Sequence, residues 1–466
     1  VTTVSVGDDI QEAINKVAAA GGGTIKFAAG TYNIHSSLIG YSSVTLEGAA
    51  TLSTVLNFRG AVNLVFEGQA VYSTGTISDI TGGVNVAGSG TLWLANVTTD
   101  HQFFVGNKWY RIASVDTDTT LTLAEGYAGG ATFPGAGYRT AKIRKDINIK
   151  ELSFRNSTGT GIIFKDCRNI FIEDCEFVDN NKGFTIDNGS DVAINNTNSI
   201  SNSSNGTEFN SCSSCDIEGL ATPSNGGHGC VINSVRLFSL ISSSSDSNTS
   251  DGYNITDGSG PFLLQAEASS NSSQGIELVS GNTNLLFNNC QVNSNTSDGI
   301  KLTGTSDDTI ITNSIIKSNG GYGINVAAST CDDTIIDNIR FASNTSGGVD
   351  DKGNNTFYKN TGVGAFTAVN NDNNNVDVGE LRFVRITGPT IAFTISGITG
   401  TANMKTITFY NATSQNMAFS LQSTNSTYTN RIQTLTGGGI TLTGASAATL
   451  TYNNTDKEWI VMGTQG

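Results

Sequence analysis

The sequence predicts an all-β chain organised around a parallel β-helix, and three observations predict it. Glycine recurs at positions 161, 183, 206, 229, 252, 275, 299, 323 and 348, a step of 22 to 25 residues. Most of these glycines open a strand that alternates, as in Gly183-Phe184-Thr185-Ile186, Gly252-Tyr253-Asn254-Ile255 and Gly299-Ile300-Lys301-Leu302. Apolar residues then face inward and polar ones outward, which a sheet with one wet face requires. The composition joins 54 glycines to only 4 prolines and 14% charged residues. Short apolar runs punctuated by Gly, Asn, Ser and Thr make a β-protein of many turns, not a disordered polar chain. A helix-free repeat of this length is one rung of a β-helix, with neighbouring rungs about 4.8 Å apart.

The elements follow in chain order. Residues 1–70 form the cap and first rungs: Asp9 is placed to cap a helix carrying Glu12 at its third position, and Ile10, Ala13, Ile14 and Val17 make one apolar face. Such a helix covers the open strand edges at the end of the coil. Gly21-Gly22-Gly23 ends it, and Thr24-Ile25-Lys26-Phe27 and Gly30-Thr31-Tyr32-Asn33-Ile34 read as the first strands. Residues 71–145 break the rung pattern with Gly88-Ser89-Gly90-Thr91, Trp109-Tyr110-Arg111-Ile112 and Thr120-Leu121-Thr122-Leu123, the text of a small inserted β-barrel. Its Trp93, Trp109, Tyr110 and Tyr138 read as domain core or as a sugar-stacking platform.

The main coil spans residues 146–362. Its other strand reads Ile170-Phe171-Ile172, Leu285-Leu286-Phe287, Thr309-Ile310-Ile311 and Thr334-Ile335-Ile336, followed at Asp174, Asn196, Asn289, Asn313 and Asn338 by a stack of turn side chains. A polar linker at Asn370–Asn375 and a C-terminal β-sandwich over 363–466 complete the chain, with alternation at Ile391-Ala392-Phe393-Thr394-Ile395 and Leu450-Thr451-Tyr452.

The opening GDDIQEAINKVAAAGGGTIKFAAGTYNI resembles the start of the pectate-lyase-like β-helix family, particularly phage tailspikes and the polygalacturonase group. There an amphipathic helix is followed by a Gly run, a strand and usually Phe-Pro-x-Gly-x-Tyr; here Ala28 replaces the proline. The inserted segment, with its GSGT, WYRI and TLTL signals, resembles a module of phage tail and fibre proteins. The C-terminal NRI, GGGITL, LTY and final Trp resemble a sandwich that closes many tail proteins. The resemblance implies a right-handed coil, a homotrimer, a cell-surface polysaccharide as partner, an upstream virion attachment domain or baseplate, and a place on an extracellular virion tail or, alternatively, secretion.

Charge and cysteines narrow the function. A net charge of −15 excludes a nucleic-acid role, since a phosphate backbone calls for a basic surface. No run of about 18 apolar residues marks a membrane span. The seven cysteines, with one CxxC at Cys212 and Cys215, lack the paired spacing of a zinc site and read as buried small hydrophobes; neither metal nor cofactor is expected.

The polygalacturonase pattern runs NTD, DD, GHG, RIK in order, and only GHG is present, at Gly227-His228-Gly229. His228 instead fills a repeat position just before the rung glycine, shared with Asn205, Asp251, Gln274, Asp298 and Tyr322. In-register residues stack about 5 Å apart, so Asp251 and Asp298, two rungs on, approach the separation of about 6.5 to 9.5 Å used by inverting glycosidases. Asp251, Asp298 and Glu277 are therefore the catalytic candidates. Glu208, His228, Tyr253, Lys301 and Tyr322 are the substrate-binding ones. The same residues also suit ordinary turn and surface chemistry. The sequence thus points to a tailspike depolymerase that hydrolyses a cell-surface polysaccharide. A non-catalytic receptor-binding fibre is the first alternative, and a secreted lyase with Tyr253 or Lys301 as base is the second.

Overall fold

The structure is a computed structural model describing residues 1–81, 83–127, 137–354, 356–359, 363–378, 381–399, 405–434 and 437–465. It divides into two compact units, residues 1–272 and 273–466.

In the first unit a helix over Ile10–Ala19 buries Ile10, Ile14 and Val17, and the Asp9 carboxylate accepts the Glu12 N–H at 2.9 Å. The chain leaves the helix through Gly21, Gly22 and Gly23, all at positive φ; a Cβ at Gly22 would lie 2.4 Å from the Ser43 carbonyl oxygen. Strands Gly23–Phe27 and Gly30–Ile34 start the coil. Each later rung has three strands, seen in Cys167–Glu173, Glu176–Val178 and Lys182–Asp187, then in Ser190–Asn195, Asn198–Ile200 and Thr207–Asn210. All pairing between rungs is parallel, with Ile170 over Val192 over Cys215, and Phe184 over Thr207 over Cys230. Interior side chains form columns; Phe154 and Phe177 stack at 5.1 Å between ring centroids.

The corner before each rung glycine is closed by buried asparagines that sequence reading passed over. Asn202 and Asn225 each turn Oδ1 to the preceding rung, where it accepts the backbone N–H of Asn180 and Asn202 respectively, both at 3.0 Å. Asn225 Nδ2 donates to Asn248 Oδ1 at 3.1 Å and to the Ser199 carbonyl at 3.0 Å. Asn248 and Asn271 repeat the pattern, and in the second unit Asn295, Asn319 and Asn344 do the same. This ladder explains the glycine register: a Cβ on Gly206 would lie 2.7 Å from Asn225 Nδ2, and one on Gly229 2.7 Å from Asn248 Nδ2. The turn positions Asp174, Asn196, Asn289, Asn313 and Asn338 hold left-handed backbone, with φ between 45° and 55°. Side-chain bonds between rungs join Asn338 to Asn313 and Asn313 to Asn288.

Between Gln69–Tyr72 and Arg139–Lys142 the chain leaves the coil for a seven-stranded antiparallel sheet. Trp93, Phe103, Tyr110 and Tyr138 pack in its core, and Trp93 Nε1 donates to Tyr138 Oη at 2.9 Å. Trp109 is equally buried but sends its indole N–H outward to the Asn188 carbonyl of the coil, at 2.6 Å. All four aromatics are therefore packing residues, not a sugar platform.

The second unit continues with rungs such as Ile300–Leu302, Ile310–Thr312 and Ile315–Lys317. Residues 360–362 lie outside the described residues, and the boundary expected at 362 falls there. The C-terminal part is a two-sheet structure with Trp459, Phe409 and Ile395 in its core. Its first strands pair in parallel, Val363–Thr367 with Phe383–Thr387 and then with Thr406–Asn411, before Ala447–Asn453 and Glu458–Gln465 close it antiparallel. The expected asparagine linker is part of it: Asn371–Asn373 is a strand, and the buried Asn373 donates to the Thr394 carbonyl at 3.1 Å.

Replacing Asn225 by Ala leaves the buried Asn202 backbone N–H without its acceptor, at a cost of about 1 to 3 kcal/mol. Asn313→Gly, which keeps the left-handed backbone of this exposed turn, is expected to stay within about 0.5 kcal/mol of the parent. Urea midpoints of the two variants check this difference.

Candidate functional site

In the first unit the strands Lys182–Asp187, Thr207–Asn210, Cys230–Asn233 and Tyr253–Thr256 lie in register and present one outward face. Alternation sends Thr185, Glu208, Val231 and Asn254 outward in one row and Asp187, Asn210, Asn233 and Thr256 in the next. Lys182 Nζ lies 2.7 Å from Glu208 Oε1, which also accepts from Asn205 Nδ2 at 2.8 Å. Asn205 Oδ1 in turn accepts the His228 N–H at 2.9 Å. His228 Nδ1 stands 3.2 Å from Asp251 Oδ2 and 3.3 Å from the Asp251 backbone nitrogen. Asn254 Nδ2 donates to Asp251 Oδ2 at 3.1 Å.

The predicted stacking position proves to be a structural ladder of its own. In it a side-chain acceptor on one rung takes the backbone N–H of the same position on the next, as Asn205 does for His228 and as Asp298 Oδ1 does for Tyr322 at 2.7 Å. His228 belongs to the same series. With Nδ1 unprotonated the imidazole accepts the Asp251 amide; with Nδ1 protonated it donates to the Asp251 carboxylate instead.

The other candidates can now be located. Asp251 is 2% exposed and Asp298 8%, so neither carboxylate stands open in a groove as expected; both are drawn into rung corners by these hydrogen bonds. Tyr253 is corrected outright as a sugar contact or lyase base. It is 1% exposed, because the alternation that puts Asn254 outside puts Tyr253 inside. In the second unit Glu277 and Lys301 are directly in register and half-buried, with Oε1 and Nζ 3.7 Å apart, a loose surface pair worth little. Tyr322 is partly exposed beside Asp298, whose Oδ2 accepts Asn325 Nδ2 at 2.8 Å.

Sequence reasoning missed Asp187. It ends the strand one rung before Glu208, on the same outward face and partly exposed. Burial raises its pKa above the usual carboxylate range, the hydrogen bond from Asn210 Nδ2 at 2.8 Å opposes this, and the Glu208 charge adds to it. Lys165 and Lys182 pull the other way, but these lysines are also paired, with Glu67 at 2.6 Å and with Glu208. Asp187 and Glu208 are diagonal neighbours on adjacent strands, their Cα atoms about 8 Å apart by strand geometry. They make a carboxyl pair of unlike surroundings, one desolvated and one ion-paired. The only sequence signal was the outward alternation Lys182-Gly183-Phe184-Thr185-Ile186-Asp187.

All seven cysteines are buried, and desolvation pushes the Cys175 and Cys230 thiols up to about 12. Among the described residues no group of three or more His, Cys, Asp or Glu side chains is placed to hold a metal ion, and no helix is long and apolar enough to cross a membrane.

Two family profiles match the sequence: "Rhamnogalacturonase A/epimerase, pectate lyase-like" over residues 5–230 and "Right handed beta helix region" over 198–345. The chain therefore carries a right-handed parallel β-helix, and its first half is similar to the pectate-lyase-like group. Among solved structures it is similar to the mannuronan C-5 epimerase AlgE4 A-module of Azotobacter vinelandii, at 18% identity and TM-score 0.49, covering 75% of this chain and 96% of that one. It is similar also to the Gp54 tailspike of Acinetobacter baumannii bacteriophage AP22, at 15% identity and TM-score 0.42, covering 88% and 77%. A third is the tailspike gp49 of Pseudomonas phage LKA1, at 11% identity and TM-score 0.44, covering 97% and 91%. No protein of curated function matches the sequence.

A carboxyl group with a raised pKa makes the folded state take up protons that the unfolded chain does not, so its charged form costs stability, and that cost appears as pH rises through the raised value. Asp187→Asn removes the cost. The variant is expected to equal or exceed the parent in urea midpoint at pH 7, with the gap closing below the ordinary carboxylate pKa of about 3.9.

Proposed function

We propose that the protein is an extracellular polysaccharide depolymerase of the tailspike kind, which binds a glycan along the outward face of Lys182–Asp187, Thr207–Asn210 and Cys230–Asn233 and hydrolyses it. The observation that carries this reading is the Asp187–Glu208 pair. Desolvation biases the Asp187 carboxyl toward the protonated form that a general acid needs, while the ion-paired Glu208 carboxylate beside it is the candidate base or nucleophile. Lys182 and Asn205 hold Glu208, Asn210 holds Asp187, and His228 offers the edge of its ring to a sugar hydroxyl. The description of the profile that spans this face, a rhamnogalacturonase and epimerase group, supports a glycan as the substrate class. The resemblance of the inserted and C-terminal segments to phage tail modules supports a virion tail as its place, with a homotrimer as its assembly.

The assignment of Asp251, Asp298 and Glu277 as the acid-base set is the competing proposal. A glycan-binding fibre without turnover is the second reading, favoured by the role of Asp251 and Asp298 in the corner ladders.

Incubation with a panel of capsular and O-antigen polysaccharides, following new reducing ends and the absorbance of unsaturated products, tests the proposal. Hydrolysis gives reducing ends without unsaturation. Asp187→Asn and Glu208→Gln are expected to slow it by about 100-fold or more, a typical loss for general acid-base groups. Asp251→Asn and Asp298→Asn, which keep an acceptor oxygen, are expected to stay within about tenfold. The reverse order would move the chemistry to Asp251 and Asp298. Unsaturated products would indicate elimination, and binding without products the fibre.

A further inference from the structure

The inserted domain is latched to one margin of the same face, and three of its latches fall on a residue just beyond an outward strand. Arg139 Nη2 meets the fully buried Asp166 Oδ2 at 2.6 Å, directly after Lys165. Asn188 Nδ2 donates to the other Asp166 oxygen at 2.9 Å, and the Asn188 carbonyl, directly after Asp187, takes the Trp109 indole N–H. Asn107 donates to the Ser234 carbonyl, directly after Asn233. Arg236 lies against Tyr127, whose phenol pKa burial raises. Gly106 and Asn107, at φ 58° and 63°, form a tight two-residue hairpin between Val105 and Lys108. A rigid hairpin tip thus runs along the rungs from Asn188 to Ser234, one residue from the row of Asp187, Asn210 and Asn233. The corner row of Asn205, His228 and Asp251 bounds the opposite margin.

We propose that this tip is the side wall of the glycan groove and the element that selects the glycan, an inference that rests on reading the face as the glycan site. Phe104, Lys108 and Tyr127 are partly exposed on the tip and beside it. Lys108 Nζ sits 5.1 Å from the centroid of the Tyr110 ring, a cation–π contact that fixes a hydrogen-bond donor at the wall. An ammonium, a phenol and an aromatic face are the groups that meet sugar hydroxyls and the apolar faces of pyranose rings. Between two walls along the axis, a linear polysaccharide would lie parallel to the coil and cross Glu208 and Asp187 in turn.

The test uses whichever capsular or O-antigen polysaccharides the full chain binds. Lys108→Ala and Lys108→Glu, neither of which touches a latch, are expected to weaken binding about fivefold or more and to change the rank order of the panel. Bound glycan is also expected to slow backbone hydrogen exchange in residues 102–109 as well as on the strands of the face. Protection confined to those strands, with both variants within about twofold of the parent, would overturn the wall while leaving the glycan site intact. A panel with no glycan bound would overturn the site and the wall together.

Discussion

A β-helix has to turn a corner on every rung, and each corner buries amide groups that no strand can pair. The asparagine ladder solves this in one step. A carboxamide oxygen has two lone pairs, and on Asn225 one takes the Asn202 backbone N–H and the other the Asn202 side chain. Its nitrogen meanwhile satisfies both a strand carbonyl and the next asparagine. Each rung is therefore completed by the rung after it, which fixes the register of neighbouring rungs while the repeat varies from 22 to 25 residues. The glycines follow from the approach of these amides, the strand alternation follows from the register, and the outward rows that bear Glu208 and Asp187 follow from the alternation.

The face that results is charged but largely neutralised in place. Lys165 and Lys182 are matched to Glu67 and Glu208, so the surplus negative charge of the chain is not concentrated there. Glycan binding there, as proposed, would depend on short, directed hydrogen bonds. That suits a polymer of hydroxyl groups and makes association less sensitive to ionic strength than electrostatic steering would be.

The Gly-opened strands, the capping helix and the rung period were legible because periodicity and glycine report directly on backbone geometry. The buried asparagines were not. Asn180, Asn202 and Asn225 sit among many exposed asparagines of the same turns, and composition does not distinguish an amide at a corner from one in solvent. For the site, register identified which residues share a row, as it did for Asn205, His228 and Asp251, but carried no information on depth. Asp251 and Asp298 were placed on the right row and at the wrong depth: His228 and Asn254 hold Asp251 in its corner, and Asp298 is held in its own as acceptor of the Tyr322 N–H on the next rung. Asp187 had the opposite fate: nothing in its sequence neighbours marks it as desolvated. Asn371–Asn373 was hidden because three polar residues in a row hide a strand whose partner, Phe393–Ile395, lies 22 residues on.

The inserted domain leaves the coil at Gln69–Tyr72 and re-enters at Arg139–Lys142, two strands paired with each other, Tyr72 opposite Thr140 and Gln69 opposite Lys142. Its two ends are therefore side by side, and the coil closes beneath it much as it would beneath a short turn. Any compact module with adjacent termini would fit the same socket without disturbing the rungs on either side. The fold thus separates the coil, whose rungs hold one another in register, from a module whose replacement would leave those rungs in place.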